Sequence, residues 1–357
     1  MEKDIILHNP SDLTVAWAQT ILNKHHHDGE VNNIKVVSVE TGTTTRMRVA
    51  VDHNGPESFP RLWFVKFPSL NWRARLITAL PRLLHTEVRF YKEIAHTLPV
   101  NRPCVLAGQS KPGKGATLVL TDVTEAGSIP GNPEDTLSPE QAELVVKQLA
   151  HFHAHFHNKI NINPQGYRWL AGSVRRLEDW LGSALAVPLM KRGLRLASDV
   201  VPQHCRPLAL NYAKNRRKVM KFLNQGPKTL IHHDCHPGNL FWHQTFPGFL
   251  DWQLVRIGEG VSDIAYFLAT ALEPEIRRRH EASLLFTYYQ VLQEQGGIGM
   301  NFNQLLNRYR AHLIYPFEAM VVTLAVGGMM DKHINLELIR RSAIALEELD
   351  SFEALPL

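Results

Sequence analysis

The sequence predicts an α+β chain in two parts: a small amino-terminal part with an antiparallel sheet and one helix, and a larger, mainly helical carboxy-terminal part. Three observations carry this. Strand-like patterns occupy Ile34 to Val39, Arg46 to Val51, Leu62 to Phe67 and Thr117 to Val123. Helical spacing takes over from Ser138 and, apart from short apolar runs around residues 230 to 253, continues to Glu347. Between the two, Glu125 to Pro139 is rich in Gly and Pro, which places the boundary after Asp122 and divides the chain into residues 1–122 and 123–357. A chain of 357 residues with 44% hydrophobic content is long enough for two cores.

The first part begins with Asn9-Pro10-Ser11, a helix start by composition, with Leu13, Trp17 and Ile21 marking one face until His25-His26-His27-Asp28-Gly29 ends it. Beside Asp-Gly, the three histidines read as a solvated turn rather than a metal site. The next two strands form a hairpin around Thr41-Gly42-Thr43-Thr44-Thr45, whose Gly42 and the backbone of Thr43 and Thr44 are candidates to lie over phosphates. Lys66 then stands alone in the apolar strand Leu62 to Phe67, and a buried ammonium needs an anionic companion. The helix from Leu83 to Ala95 carries Glu87 in its first half, with Glu93 as a rival for that role. Leu120, Thr121, Asp122 and Val123 close the last strand and would receive a nucleotide base through backbone groups.

The second part opens at Ser138-Pro139-Glu140, a capped start for an amphipathic helix reaching about His157. Its histidines at 151, 153, 155 and 157 alternate, so 151 and 155 share one face and 153 and 157 another, which disfavours a single four-ligand metal site. Residues 160 to 225, with Trp169, Trp180 and the Arg175-Arg176 pair, read either as walls of a pocket or as ordinary packing and surface charge. Val261 to Leu268 starts a helix in which Asp263 can bond backbone amides.

The stretch from Leu230 to Gln253 carries the chemistry. His232, Asp234 and Asn239 stand at offsets of two and five, the spacing of a kinase catalytic loop, and Phe249-Leu250 then delivers Asp251. Phosphoryl transfer asks for a carboxylate near the attacking hydroxyl, the part Asp234 fits, and for oxygen ligands to a hard cation, which Asn239 and Asp251 can supply. Pro237-Gly238 makes the bend between them. Lys66 on the phosphates, paired with Glu87, completes a kinase-type set. A metal hydrolase using His232, His233, Asp234 and His236 is the chemical competitor, but H-E-x-x-H spacing on a helix is missing, and Pro237 and Gly238 break any helix there.

Composition narrows the field. The net charge of +5 is spread over short basic groups such as Arg73-Ala74-Arg75 and Arg277-Arg278-Arg279, which suits an anionic small molecule better than nucleic acid. Three widely spaced cysteines, Cys104, Cys205 and Cys235, suggest neither a disulfide framework nor a zinc site, and a reducing cytoplasm fits them. Cys235, beside Asp234, reads as a small packing residue rather than a nucleophile. The amino terminus shows no signal-peptide core, and the longest apolar run, Ala319 to Met330, is too short to span a bilayer.

Taken with Glu87-Val88-Arg89-Phe90-Tyr91, Leu118-Val119-Leu120-Thr121-Asp122-Val123 and Leu149-Ala150-His151-Phe152-His153-Ala154, the loop resembles the aminoglycoside phosphotransferase and choline-kinase-like group of small-molecule kinases. Within the group it is most similar to the ecdysteroid-kinase-like branch, from about residue 35 to 270. The resemblance implies a protein-kinase-like bilobal fold with Asp234 as catalytic base and Asn239 and Asp251 as magnesium ligands. It implies Lys66 on the nucleotide phosphates, Glu87 orienting it, and His232 and Asp263 bracing the loop. Two positions depart from the family pattern: His233 stands where glycine is common in H-G-D, and Thr43 to Thr45 replace a more glycine-rich loop. The implied activity is ATP- and Mg2+-dependent transfer of the γ-phosphoryl group to a hydroxyl of a small molecule, with a kinase-like domain that binds nucleotide without transfer as the alternative. Residues 160 to 225 carry more Lys and Arg than Asp and Glu, which favours a neutral, apolar or anionic acceptor over a polycation. The expected partners are thus a nucleotide and a small hydroxylated acceptor, with no nucleic acid and no membrane.

Overall fold

The computed structural model describes residues 4–71, 82–163, 165–171 and 173–357; Arg73 and Arg75 lie outside the described residues. The chain forms two compact units, one of Met1–Pro130 with Phe241–Gln244 and Gly248–Leu254, the other of Gly131–Leu240, Thr245–Pro247 and Val255–Leu357.

The first unit is built on five antiparallel strands, β1 (Val31–Thr41), β2 (Thr44–His53), β3 (Leu62–Pro68), β4 (Val105–Lys111) and β5 (Gly115–Thr121), in the order β1-β2-β3-β5-β4. Among the described residues two helices accompany them, α1 (Val15–Leu22) and α2 (Leu83–Glu93). Side chains alternate across a strand. Trp63, Val65 and Phe67 of β3 therefore join Met47, Val49 and Val51 of β2 and Trp17, Ile21 and Leu22 of α1 in one core. Lys66 points to the other face. The chain before α1 is pinned to the same core: the Ile5 amide donates to Gln109 Oε1 (2.9 Å), the Leu7 amide to Thr117 Oγ1 (2.8 Å), and Trp17 Nε1 to the Ile5 carbonyl (3.0 Å).

Two details differ from the pattern-based expectations, and a third adds to them. Asn9-Pro10 starts only a 3-10 turn, Pro10–Asp12, because Asp12 turns back to accept the His8 and Asn9 amides, and α1 begins later, capped by Thr14 Oγ1 on the Trp17 amide. Thr41 pairs with Thr45, so the hairpin connection shortens to Gly42-Thr43. The histidines at 25 and 26 are tied down, His25 Nε2 to the Leu106 carbonyl (2.7 Å) and both rings against Phe59.

The second unit is mainly helical: α3 (Pro139–Ile162), α4 (Ser173–Leu196), α5 (Cys205–Leu223), α6 (Val261–Ala271), α7 (Pro274–Glu294), α8 (Phe302–His312), α9 (Ile314–Val326) and α10 (Lys332–Glu348). Ser138 and Gln141 cap α3 reciprocally, a capping box that serine, proline and glutamine encode locally. Every residue of α6 is buried. Short strands punctuate the chain: β6 (Ile129–Pro130), β7 (Thr229–Ile231), β8 (Leu240–His243), β9 (Phe246–Phe249) and β10 (Arg256–Gly258), with β7 and β10 paired antiparallel so that Ile231 faces Arg256. That ladder fixes the start of the loop at His232. The Arg277 to Arg279 group is dispersed rather than pooled: Arg277 is buried against Glu281 and Glu348, Arg278 meets Glu348, and Arg279 meets Glu275. Among the described residues no helix is long and apolar enough to cross a membrane.

Glu259, between β10 and α6, ties several of these elements together. It accepts from the Gly226 amide (2.6 Å), from Arg308 Nε (2.8 Å) and from His312 Nε2 (3.2 Å). Burial alone would raise its pKa, but His312 and Arg308 outweigh it and hold the carboxyl down at about 2, against an ordinary value of 4.5. A depressed carboxyl stabilises the fold above its unfolded pKa and loses that contribution as pH falls through the folded one. Glu259→Gln is therefore expected to cost about 2–3 kcal/mol at neutral pH. In thermal melts the gap from wild type should stay full above roughly pH 5 and close toward pH 2.

Candidate active site

In the first unit Lys66 Nζ lies 2.8 Å from Glu87 Oε1 and 3.1 Å from Asp251 Oδ1. Lys66 is 3% exposed and Glu87 fully buried. Burial works against the ammonium, but the Asp251 and Glu87 carboxylates override it and raise its pKa, so the lysine stays charged. Glu87 carries the cost: burial, with Asp251 adding to it, pushes its carboxyl up to about 7 despite Lys66. One cation thus serves two carboxylates. Glu87 Oε1 also accepts the Trp252 amide (3.2 Å), and the Trp252 ring stacks on Phe90, one turn along α2 from Glu87, at 4.7 Å and 16°. Helix α2 is thereby fastened to the residue that follows Asp251. Asp251 itself sits at φ +58°, a left-handed conformation that Asp tolerates better than most residues. Glu93, the rival partner for Lys66, instead pairs with Arg89 on the exposed side (2.7 Å).

In the second unit the loop from His232 is held by Asp263. Its Oδ2 accepts the His232 amide (2.7 Å) and its Oδ1 the His233 amide (2.8 Å). A carboxylate only accepts, so His153 donates to Asp263 through Nε2 (3.2 Å), and its Nδ1 accepts the Tyr288 hydroxyl (2.9 Å). Asp234 is fixed on both sides, Oδ1 accepting the Tyr266 hydroxyl (2.8 Å) and Oδ2 the Asn239 Nδ2 (3.0 Å). Asn239 Nδ2 also reaches the Asp234 carbonyl (2.9 Å), which leaves the Asn239 amide oxygen to face elsewhere. The Pro237–Asn239 turn needs its glycine, since a Cβ on Gly238 would come within 2.6 Å of Pro133 Cγ.

His233, the residue in place of glycine, adopts φ +72°, where a bulky side chain is strained. Its ring stacks on Tyr315 at 3.9 Å and 13°, and the Tyr315 hydroxyl donates to the His233 carbonyl (3.2 Å). Cys235 is buried, and burial together with Asp263 and Asp234 lifts its thiol well above the usual range, which makes it a packing residue. All three cysteines are free thiols.

The remaining predicted positions are engaged in the fold of the first unit. The Gly42 amide donates to the Thr44 carbonyl (3.0 Å) and its carbonyl accepts Ser69 Oγ (2.7 Å); Thr44 is buried and Thr43 half-buried. Leu120 is buried, Thr121 exchanges bonds with Cys104, and the Asp122 amide donates to the Leu62 carbonyl (3.0 Å). The Asp122 side chain pairs with Arg48 (2.6 Å) and caps Thr124 (3.0 Å), bonds that hold its carboxyl low against the opposing effect of burial. Val123 begins the 3-10 turn Val123–Ala126. Among the described residues no three His, Cys, Asp or Glu side chains form a group able to hold a metal ion.

Tyr266, Tyr315, His153 and Trp252 belong to the site but were missed in the sequence. Tyr266 was within reach: it lies three residues after Asp263, hence on the same helix face. Tyr315 comes from α9, distant in the chain, and had no local signal.

Comparison with solved structures assigns the fold. A putative aminoglycoside phosphotransferase from Ralstonia eutropha JMP134 superposes with a TM-score of 0.52 at 15% identity over 94% of this chain and 97% of that one. A choline kinase from Cryptosporidium parvum Iowa II gives 0.52 at 11% identity, over 92% and 90%. The streptomycin–ATP ternary complex of APH(2")-IIa gives 0.50 at 12% identity, over 96% and 99%. The fold is therefore protein-kinase-like, the α+β class shared by small-molecule kinases. Residues 48–297, more than half of the chain, match the ecdysteroid kinase-like family, and the chain belongs to that family. No curated protein matches it.

Asp263 accepts the buried His232 amide, the part-buried His233 amide and the buried His153 imidazole at once, and its removal takes this acceptor from all three. Asp263→Ala is expected to lower stability by about 3 kcal/mol in urea titration, while Asp263→Asn, which keeps one acceptor oxygen, costs roughly half as much.

Proposed function

We propose that the protein is an ATP- and Mg2+-dependent phosphotransferase that moves the γ-phosphoryl group of ATP to a hydroxyl of a small molecule, and that the first unit is its nucleotide-binding part. The observation that carries this reading is Asp234, a carboxylate clamped by Tyr266 and Asn239 on a loop whose amides Asp263 holds. Each clamped oxygen still has a lone pair, so Asp234 can accept the proton of an incoming hydroxyl.

In the proposed step the acceptor oxygen bonds to the γ-phosphorus, its proton passes to Asp234, and the bond from the γ-phosphorus to the bridging oxygen breaks to release ADP. Lys66, kept charged by Glu87 and Asp251, is the cation offered to the phosphates. Asn239 and Asp251 would hold the magnesium, which when bound neutralises charge on the phosphate oxygens. The Thr121 and Asp122 amides are already donated within the fold, so a base at Leu120 to Val123 would be met by other backbone atoms of that stretch. Phosphates would lie near the Gly42-Thr43-Thr44 turn. With three free thiols and no membrane-length helix among the described residues, a cytoplasmic enzyme is the simplest setting.

The test is ATP consumption by the purified protein with Mg2+ against hydroxylated metabolites, sterols, amino alcohols and aminoglycosides. Asp234→Asn preserves the clamp geometry and is expected to lower turnover by at least a thousandfold with an unchanged melting profile. Equal turnover in Asp234→Asn would refute the assignment, and nucleotide binding with no turnover on any acceptor would favour a non-catalytic kinase-like protein.

A further inference from the structure

We infer that the outer face of α4 and α5 docks the protein on the surface of an anionic lipid bilayer. The inference is independent of the phosphotransferase reading.

Positive charge is gathered on these two helices. Residues 180–223 hold nine Lys and Arg and one carboxylate, Asp199, whereas the rest of the chain holds thirty Lys and Arg against thirty-three Asp and Glu. Three of the nine, Lys191, Arg192 and Arg195, are exposed on the last two turns of α4. Lys214, Arg217, Lys218 and Lys221 are exposed on α5. The side chains of these seven enter no hydrogen bond or ion pair among the described residues. The other two are engaged inside the fold, Arg216 with Glu318 (2.6 Å) and Arg206 with the Val201 carbonyl (3.2 Å). Carboxylates that approach from either end are engaged too: Asp179 turns to Arg256 (3.7 Å), and Glu347 meets His204 (3.0 Å).

Helix α9 decides which side of the pair faces out. A Cβ on Gly193 of α4 would collide with Val321 of α9, and Tyr212 and Arg216 of α5 both donate to Glu318 of α9, so both helices rest on α9 by their inner sides. Ala186, Met190 and Leu194 are buried on that side at fourfold spacing. Residues 197–204 turn α4 back into α5, and Arg216 Nη1 donates to Ser183 Oγ (3.3 Å), so the two helices run antiparallel. The same outer side carries apolar groups. Trp180 is 62% exposed and Leu185 50%, and Leu196 and Leu208 are exposed as well. The antiparallel run brings Trp180 and Leu185 to the end of α5 that holds Arg217, Lys218 and Lys221, and Leu208 to the end of α4 that holds Lys191 to Arg195. At 1.5 Å per residue the stretch from Trp180 to Leu196 is about 24 Å long.

Charge and apolar exposure together select the partner. A bilayer interface takes Trp and Leu side chains among its headgroups while neighbouring Lys and Arg meet anionic lipid. Nucleic acid would use the cations and leave the leucines in water. A second copy of this chain would set seven cations against seven. Among the described residues no helix can span a bilayer, so the contact is peripheral, and the expectation of no membrane partner narrows to no spanning segment.

The experiment is vesicle sedimentation with the full chain, on phosphatidylcholine alone and with about 30% phosphatidylserine. The anionic vesicles should bind at least tenfold more tightly, and binding should weaken as salt rises from about 0.1 to about 0.5 M. Each Lys or Arg at such a surface is worth about fivefold. Lys218→Glu should therefore weaken binding at least fivefold, and Lys214→Glu, Arg217→Glu and Lys218→Glu combined should abolish it. Trp180→Ser should also weaken it about fivefold. Lys114→Glu, an exposed charge between β4 and β5 of the first unit, is the control and should bind as wild type does, and all variants should keep the wild-type melting profile. Tryptophan emission should move to the blue on anionic vesicles, and Trp180→Phe should remove that move. Equal binding to the two vesicles, or a loss in Lys114→Glu as large as in Lys218→Glu, would overturn the inference. Vesicle binding indifferent to Trp180→Ser would overturn it as well, since it describes electrostatic adsorption alone. A single-stranded RNA oligonucleotide bound through the same lysines, with no binding to vesicles, would put nucleic acid in place of the bilayer and refute it.

Discussion

A buried ammonium shared by two carboxylates is the constraint on which the first unit turns. Lys66 cannot sit in an apolar strand uncharged by water and unpaired, so β3, α2 and the segment around Asp251 must converge on it. Glu87 anchors from α2, Asp251 from a left-handed backbone, and the Phe90–Trp252 stack locks the two anchors together. Burial, with Asp251 adding to it, raises the Glu87 carboxyl to about 7, so the ammonium is shared unequally between its two partners. A lysine kept charged in a buried setting is a fixed cation of the kind a phosphate pairs with, which gives the proposed nucleotide role its physical basis.

The second unit has its own organising carboxylate. Asp263 sits at the start of a wholly buried helix and spends both oxygens on consecutive loop amides. The loop can then keep His233 in a conformation that glycine would adopt without strain, and the Tyr315 stack and the Arg256 bond repay part of that cost. The His233 imidazole thus packs on Tyr315 and accepts from Arg256.

Much of this was legible in the sequence, for stated reasons. The lysine in β3 stood out because a charge among apolar neighbours breaks strand alternation, and the loop because three residue types fell at fixed offsets between two apolar runs. Strand β4 was not legible: Val105–Lys111 mixes Gly, Gln and Ser with apolar residues and depends on its pairing with β5. The helix start at Asn9-Pro10 misled because a capping pattern can close a single turn without a helix behind it. Tyr315 was out of reach of local pattern, because its role arises from tertiary approach alone.

The most direct test of the account is the Mg2+ dependence of nucleotide binding, read by calorimetry with a non-hydrolysable ATP analogue. Wild type should bind at least tenfold more tightly with Mg2+ than without, and Asp251→Ala should lose that gain while keeping its fold. Binding indifferent to Mg2+ in wild type, or a gain fully kept in Asp251→Ala, would contradict it.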